Sequence, residues 1–174
     1  MNYDPSKRTS AELLADWAGI MRELKQRKVI RTRNNPISDI AEEIVAKRFG
    51  GQRGESTQKG WDVRTGQTRI QVKAMRHGGD YRRTTLGVIR GEDFDKVVVV
   101  MFPEDFSIDQ IEAYEFSKRF VFSKADGVER FPHREHVNGR VINLTTPVLA
   151  DKEVKSIDIR RAAHAVLDVT PSTT

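Results

Sequence analysis

The sequence predicts a mixed α/β (α+β) domain, most simply a central β-sheet with the helix at residues 36–49 packed against it. Three stretches carry that expectation. Residues 36–49 read as an amphipathic helix, residues 60–73 as two strands joined by a tight turn, and residues 96–102 as a strand buried on both faces.

The helix is marked by its ends. Asn35 suits the N-cap, Pro36 suits a first position that needs no N–H, and Gly50-Gly51 stops the helix. Its apolar face is Ile37, Ile40, Ala41, Ile44 and Val45. At roughly 100° per residue, Glu42 falls at the edge of that face, near Val45 and Phe49. Glu43 points away, toward solvent and Lys47. Glu42 is therefore the acid expected to lean over the sheet.

In the hairpin, Gln71 and Lys73 share one strand face, while Ile70, Val72 and Ala74 share the other. With Thr65-Gly66 as the loop, Asp62 is expected opposite Arg69 and diagonal to Gln71, on the polar face. Trp61 is expected beneath the hairpin, on the face opposite Asp62.

Upstream, Thr9-x-x-Glu12 is a capping box that opens a helix with an apolar stripe of Leu13, Leu14, Trp17, Ile20, Met21 and Leu24. Trp17 is expected in the core. The helix ends in Lys25, Arg27 and Lys28, which favour the negative end of its dipole. Arg31 and Arg33 continue the basic run, either as a solvated helix end or as an arm that contacts phosphate. Downstream, residues 77–83 form a glycine-hinged loop with His77, Arg82 and Arg83, beside Arg76 and upstream of Arg90. Residues 84–89 and 111–116 are strand candidates, and 117–122 is helix or strand. Asn138-Gly139 signals a hairpin, and 156–167 a terminal helix.

The 174 residues are enough for one domain with a real core, and Lys and Arg exceed Asp and Glu by 30 to 25. That excess suits a polyanionic partner. The absence of cysteine excludes disulfides and cysteine-ligated metal. No run of about 18 apolar residues is present, so no membrane span is expected. The first residues lack an apolar signal core, which makes a cytoplasmic location the expectation.

Asp62, Gln71, Lys73 and Glu42 together suit phosphodiester hydrolysis. That chemistry needs a hard divalent cation, Mg²⁺ or Mn²⁺, which takes one or two carboxylates and keeps several waters. Asp62 is the candidate carboxylate ligand, the Gln71 side-chain oxygen a neutral one, and the main-chain carbonyl of Val72 a third. Lys73 is placed to orient an attacking water or to meet negative charge on the phosphate, and Glu42 to hold a further water or a second ion. Arg76, His77, Arg82 and Arg83 are candidates for nucleic-acid backbone contacts. His133 and His136 are read as solvated.

Asp62 followed by Gln71-x-Lys73, with Ala41-Glu42 on the preceding helix, resembles the PD-(D/E)xK nuclease superfamily, in its Mrr-like variant with glutamine in place of the acid. The resemblance implies a restriction-endonuclease-like core: a mixed four-stranded sheet flanked by helices. It implies that Asp62 is the metal-ligating acid, that Gln71 takes the (D/E) position, that Lys73 is the catalytic lysine, and that Glu42 is the accessory acid. It further implies a DNA endonuclease in restriction, defence or DNA processing, with DNA as partner. Because duplex cutting needs two centres, a homodimer or a larger partner is expected. On this reading residues 1–33 are an N-terminal helix and basic arm. Residues 34–174 are the nuclease-like domain, with its catalytic core at about 34–102 and a C-terminal elaboration at 103–174. Trp61 stands where the superfamily's proline would be, and the neutral Gln71 lowers the site's negative charge. The alternative is a catalytically silent nucleic-acid-binding module of the same fold, or a protein-interaction domain.

Overall fold

Helix α1 (Ser10–Gln26) and helix α2 (Pro36–Phe49) precede a sheet that grows from both halves of the chain. The structure, a computed structural model, describes residues 3–32, 35–55, 59–78 and 84–168. After α2 come β1 (Gln52–Arg53), β2 (Val63–Thr65), β3 (Thr68–His77), β4 (Lys96–Pro103) and β5 (Glu112–Ser117). Then follow α3 (Lys118–Val121), two small ribbons made of β6 (Lys124–Ala125) with β7 (Val128–Glu129) and β8 (His133–Arg134) with β9 (Gly139–Arg140), and finally α4 (Thr146–Leu149), β10 (Val154–Ser156) and α5 (Arg160–Leu167).

The main sheet is six-stranded, in the order β1-β2-β3-β4-β5-β10. All neighbours are antiparallel except β3 and β4, which run parallel from Ile70↔Lys96 to His77↔Pro103. The fold is thus mixed α+β, as the helix and strand patterns predict. The resemblance implies four strands; β5 and β10, from beyond residue 103, extend the sheet, and α5 packs in the same core as α2.

Alternation along β3 sets the two faces. Ile70 and Val72 face α2 and α5, packing with Ile40, Ala41, Ile44 and Val45. Met75 lies in the opposite core with Val97, Val99 and Phe116, beneath Leu86, Ile89 and Phe120. Strand β4 is buried on both faces, with Val97 to Val100 at 0% exposure. Helix α2 starts and stops as its ends dictate: the Asn35 side chain accepts the Ile37 N–H, Pro36 stands at the first turn, and Gly50 closes it with φ of 60°.

Several local expectations change. The α1 capping box forms, but Met21 is the only buried residue in the helix. Trp17 is 49% exposed and Leu13, Leu14 and Ile20 are also exposed, so the stripe does not enter the core along its length. An apolar stripe shows which face a helix would bury, not how much of it meets a partner. Residues 154–156 are strand β10, and the terminal helix starts only at Arg160. Residues 117–122 turn helical, with the Ser117 side chain accepting the Phe120 N–H at 3.1 Å. Asn138 takes the left-handed conformation, but a single 3₁₀ turn at Glu135–Val137 fills the loop between β8 and β9. The 84–89 segment makes only isolated bridges, to Asn143 and Arg140. Among the described residues no helix is long and apolar enough to cross a membrane.

The contrast between α1 and α2 is measurable. Ile44→Ala empties a fully buried site and lowers global stability by about 3 kcal/mol, roughly 6–12 °C in Tm. Thr9→Ala costs α1 about 1 kcal/mol, and its amides exchange hydrogen faster while the Tm stays close to that of the parent. A large Tm loss in Thr9→Ala would show that α1 is part of the cooperative core.

Candidate active site

The hairpin turns at Gly66-Gln67, not at Thr65-Gly66. Thr65 pairs with Thr68, Arg64 with Arg69 and Val63 with Ile70. Gly66 takes the positive φ (56°) that the first position of such a two-residue turn favours. Arg64, not Asp62, therefore lies opposite Arg69. The correction shifts the pairing by two residues, so the side chains of the paired residues 63–65 and 68–70 keep their predicted faces.

Asp62 sits where the β2–β3 ladder ends. Val63 is the partner of Ile70, yet the Asp62 N–H also reaches the Ile70 carbonyl, at 2.9 Å. Two residues stand against one, as in a β-bulge, a feature that re-aims side chains. On the other flank the Asp62 carbonyl accepts the Gly54 N–H at 2.8 Å. The carboxylate then takes the next strand donor: the Val72 N–H bonds Asp62 Oδ2 at 2.7 Å. Because both main-chain groups of a strand residue point to the same neighbour, the Val72 carbonyl opens onto the same edge. Trp61 packs with the cluster that holds Met75.

Glu42 reaches this site from α2. Its side chain is 16% exposed, and its carboxylate is paired with the Arg31 guanidinium through Nη2. Arg31 is held on its other sides by the Gly54 carbonyl (Nη1, 2.5 Å) and by Asp39 (Nε to Oδ1, 3.6 Å). Asp39, itself buried, accepts the main-chain N–H groups of Arg31 and Thr32 at 3.0 and 2.9 Å. Arg31 is thus neither a solvated helix end nor a free arm. It ties Glu42 to the loop that holds Asp62, a role that the basic run alone does not reveal. Glu43 pairs instead with Arg53 at 3.2 Å.

The charges influence one another. Burial, and then the Asp62 carboxylate, push Glu42 up to about 7, against the pull of Arg31. Burial raises Asp62 too, opposed by the Val72 N–H, Lys73 and Arg31. Burial lowers Lys73, with Asp62 opposing, Arg90 adding to the lowering, and Glu42 opposing. Glu42, Asp62 and Lys73 therefore lie within reach of each other's fields. Gln71 is 7% exposed, and its Oε1 is buried with no hydrogen-bond partner among the described residues. A buried amide oxygen without a partner is costly in a finished site.

Among the described residues no group of three or more His, Cys, Asp or Glu side chains forms a ready metal site. The donor set here is of another kind: the Asp62 carboxylate, the Gln71 amide oxygen and the Val72 carbonyl, with Glu42 nearby. Oxygen donors with one or two carboxylates suit magnesium or manganese, which retain waters. The orphaned Gln71 oxygen fits that use.

The other candidates lie elsewhere. Arg76 alternates onto the face opposite Lys73, where it stacks over Phe106 at 5.0 Å and donates to the Glu104 carbonyl at 2.6 Å. His77 stands four residues beyond Lys73, about 13 Å along the strand, and borders a cleft with Tyr114, Ser156 and Arg160. Arg82 and Arg83 lie outside the described residues. His133 and His136 are exposed. No family model and no curated protein matches the chain.

The shift on Glu42 carries a sign. Its ordinary value is 4.5 and its folded value about 7, so between these the folded chain keeps a proton that the unfolded chain has lost. Without a divalent cation, stability falls as pH rises through that window, by on the order of 3 kcal/mol. Glu42→Gln, melted in chelator from pH 4.5 to 8, loses most of that fall. A variant that keeps the full fall assigns it to other groups.

Proposed function

We propose that the chain is a divalent-cation-dependent phosphodiesterase that cuts DNA, a deoxyribonuclease of the PD-(D/E)xK, restriction-endonuclease-like kind. The observation that carries this reading is the buried, unpartnered Gln71 Oε1 on the strand whose Val72 N–H anchors the Asp62 carboxylate. The net charge of +5 suits a polyanionic substrate.

Asp62, Gln71 Oε1 and the Val72 carbonyl would hold the cation, Mg²⁺ or Mn²⁺. A cation at these oxygens supplies charge stabilisation at the phosphate and a more acidic water. The remaining work falls to side chains. Lys73, on the face of β3 that carries Gln71, orients the attacking water by hydrogen bonding and meets the negative charge that develops on the phosphate oxygens. Burial disfavours its ammonium form, and the fields of Asp62 and Glu42 offset part of that. Glu42 accepts a hydrogen bond from a second water, held in place by Arg31. Two chains acting together would supply the two centres that duplex cutting needs.

A second reading, a silent nucleic-acid-binding module, is favoured by the absence of a three-residue acid or histidine cluster among the described residues. Incubation with single- and double-stranded DNA in Mg²⁺ or Mn²⁺ separates the two. The nuclease reading predicts cleavage that falls about 100-fold or more in Lys73→Ala and in Asp62→Ala. Salt-sensitive binding without cleavage supports the silent module, and unchanged cleavage in both variants overturns the assignment of the site.

A further inference from the structure

Residues 84–93 form a strap beside the site. They lie between β3 and its parallel neighbour β4, yet their main chain bonds to neither strand. They run instead antiparallel to residues 140–144. Leu144 N–H donates to the Thr84 carbonyl at 2.7 Å, and Leu86 N–H to the Ile142 carbonyl at 3.0 Å. Ile89 and Arg140 exchange both main-chain hydrogen bonds, at 2.9 and 3.0 Å. Leu86 and Ile89 are buried at 2% and 1% exposure, in the core that holds Met75. Gly139 permits the approach, because a Cβ there would strike the Ile89 carbonyl.

The strap is pinned again at Asp93. That residue pairs with Arg69 of β3. It also packs against Gly60, two residues before Asp62, where a Cβ would lie 2.8 Å from the Asp93 Cβ. Between the pins at Ile89 and Asp93 stands Arg90. Its side chain is exposed and makes no ion pair or hydrogen bond among the described residues. Its charge is felt at Lys73, which it disfavours as a cation.

We propose that Arg90 is a phosphate-binding residue of this site, holding a backbone phosphate of the nucleic-acid strand whose phosphodiester lies against Lys73; this rests on the nuclease reading. Ile89 packs with Met75 and Asp93 pairs with Arg69, both on the β3 face that carries Lys73, so the unpartnered guanidinium between them meets an anion over that face. A backbone phosphate supplies that anion, and its two free oxygens match the guanidinium fork. The pinned strap loses little freedom when the contact forms. Arg90 does this from ordered backbone, whereas Arg76 is engaged on the far face of the sheet.

The test uses the full chain carrying Lys73→Ala, so that DNA binding is read without cleavage. Labelled single- and double-stranded DNA are titrated in Mg²⁺ over a range of salt, with and without Arg90→Ala, Arg90→Lys and Lys155→Ala. Lys155 lies on β10 at the far edge of the sheet. Arg90→Ala is expected to weaken DNA binding about tenfold and to reduce the salt slope by about 1. Arg90→Lys restores part of the affinity, Lys155→Ala changes neither quantity, and Mn²⁺ binding is the same with and without Arg90→Ala. An unchanged slope in Arg90→Ala, or an equal loss in Lys155→Ala, overturns the role of Arg90 alone. If the Lys73→Ala parent binds no DNA at low salt, the nuclease reading falls and the Arg90 contact falls with it.

Discussion

One hydrogen bond organises the site: the Val72 N–H donates to the Asp62 carboxylate at 2.7 Å. It forms because the ladder between β2 and β3 slips at Asp62, where the main-chain N–H already reaches Ile70. A strand donor left without a carbonyl would be costly when buried; the side chain of Asp62 removes that cost. The same bond fixes the carboxylate against β3, whose position is set in turn by eight parallel pairs with β4. Gln71 and Lys73 are thereby placed by the most buried strand in the molecule, and Asp62 is placed against them. Rigid elements hold a site more closely than loops do.

The arrangement carries an electrostatic cost. Burial works against the charged forms of Glu42, Asp62 and Lys73 alike. Arg31 offsets part of it, bridging Glu42 and the Gly54 carbonyl, while Gly54 donates to Asp62. The two hydrophobic cores on either side of the sheet make the burden tolerable. A site whose oxygens are desolvated and incompletely paired gains from a cation, and the orphaned Gln71 oxygen is the clearest sign of that.

How much of this was legible in the sequence depends on the range of the interaction. The bounds of α2 were, because caps and stop signals are local to Asn35, Pro36 and Gly50. So was the sharing of one face by Gln71 and Lys73, which follows from alternation. The choice of Glu42 over Glu43 followed from helical angle, and the structure pairs Glu43 with Arg53 instead. The hairpin register was not legible: Thr65-Gly66 and Gly66-Gln67 are both plausible turns, and a bulge at Asp62 decides which pairing results. Nor was the role of Arg31, since its partner lies 11 residues away and a basic run has no direction. The exposure of Trp17 was hidden for a related reason: periodicity marks a face but not its neighbour. Strand β10, which takes Ser156 from the helix expected at 156–167, was not legible because its pairing partner β5 lies about forty residues earlier.

The central claim is that Asp62 and Gln71 form a cation site that the folded chain holds ready. Calorimetric titration of Mn²⁺ into the cation-free protein, beside Asp62→Asn, tests it most directly. The account predicts saturable binding by the parent chain that is lost in Asp62→Asn, while both proteins keep the same folded circular dichroism. Absence of binding by the folded parent, or equal binding by the variant, would contradict it.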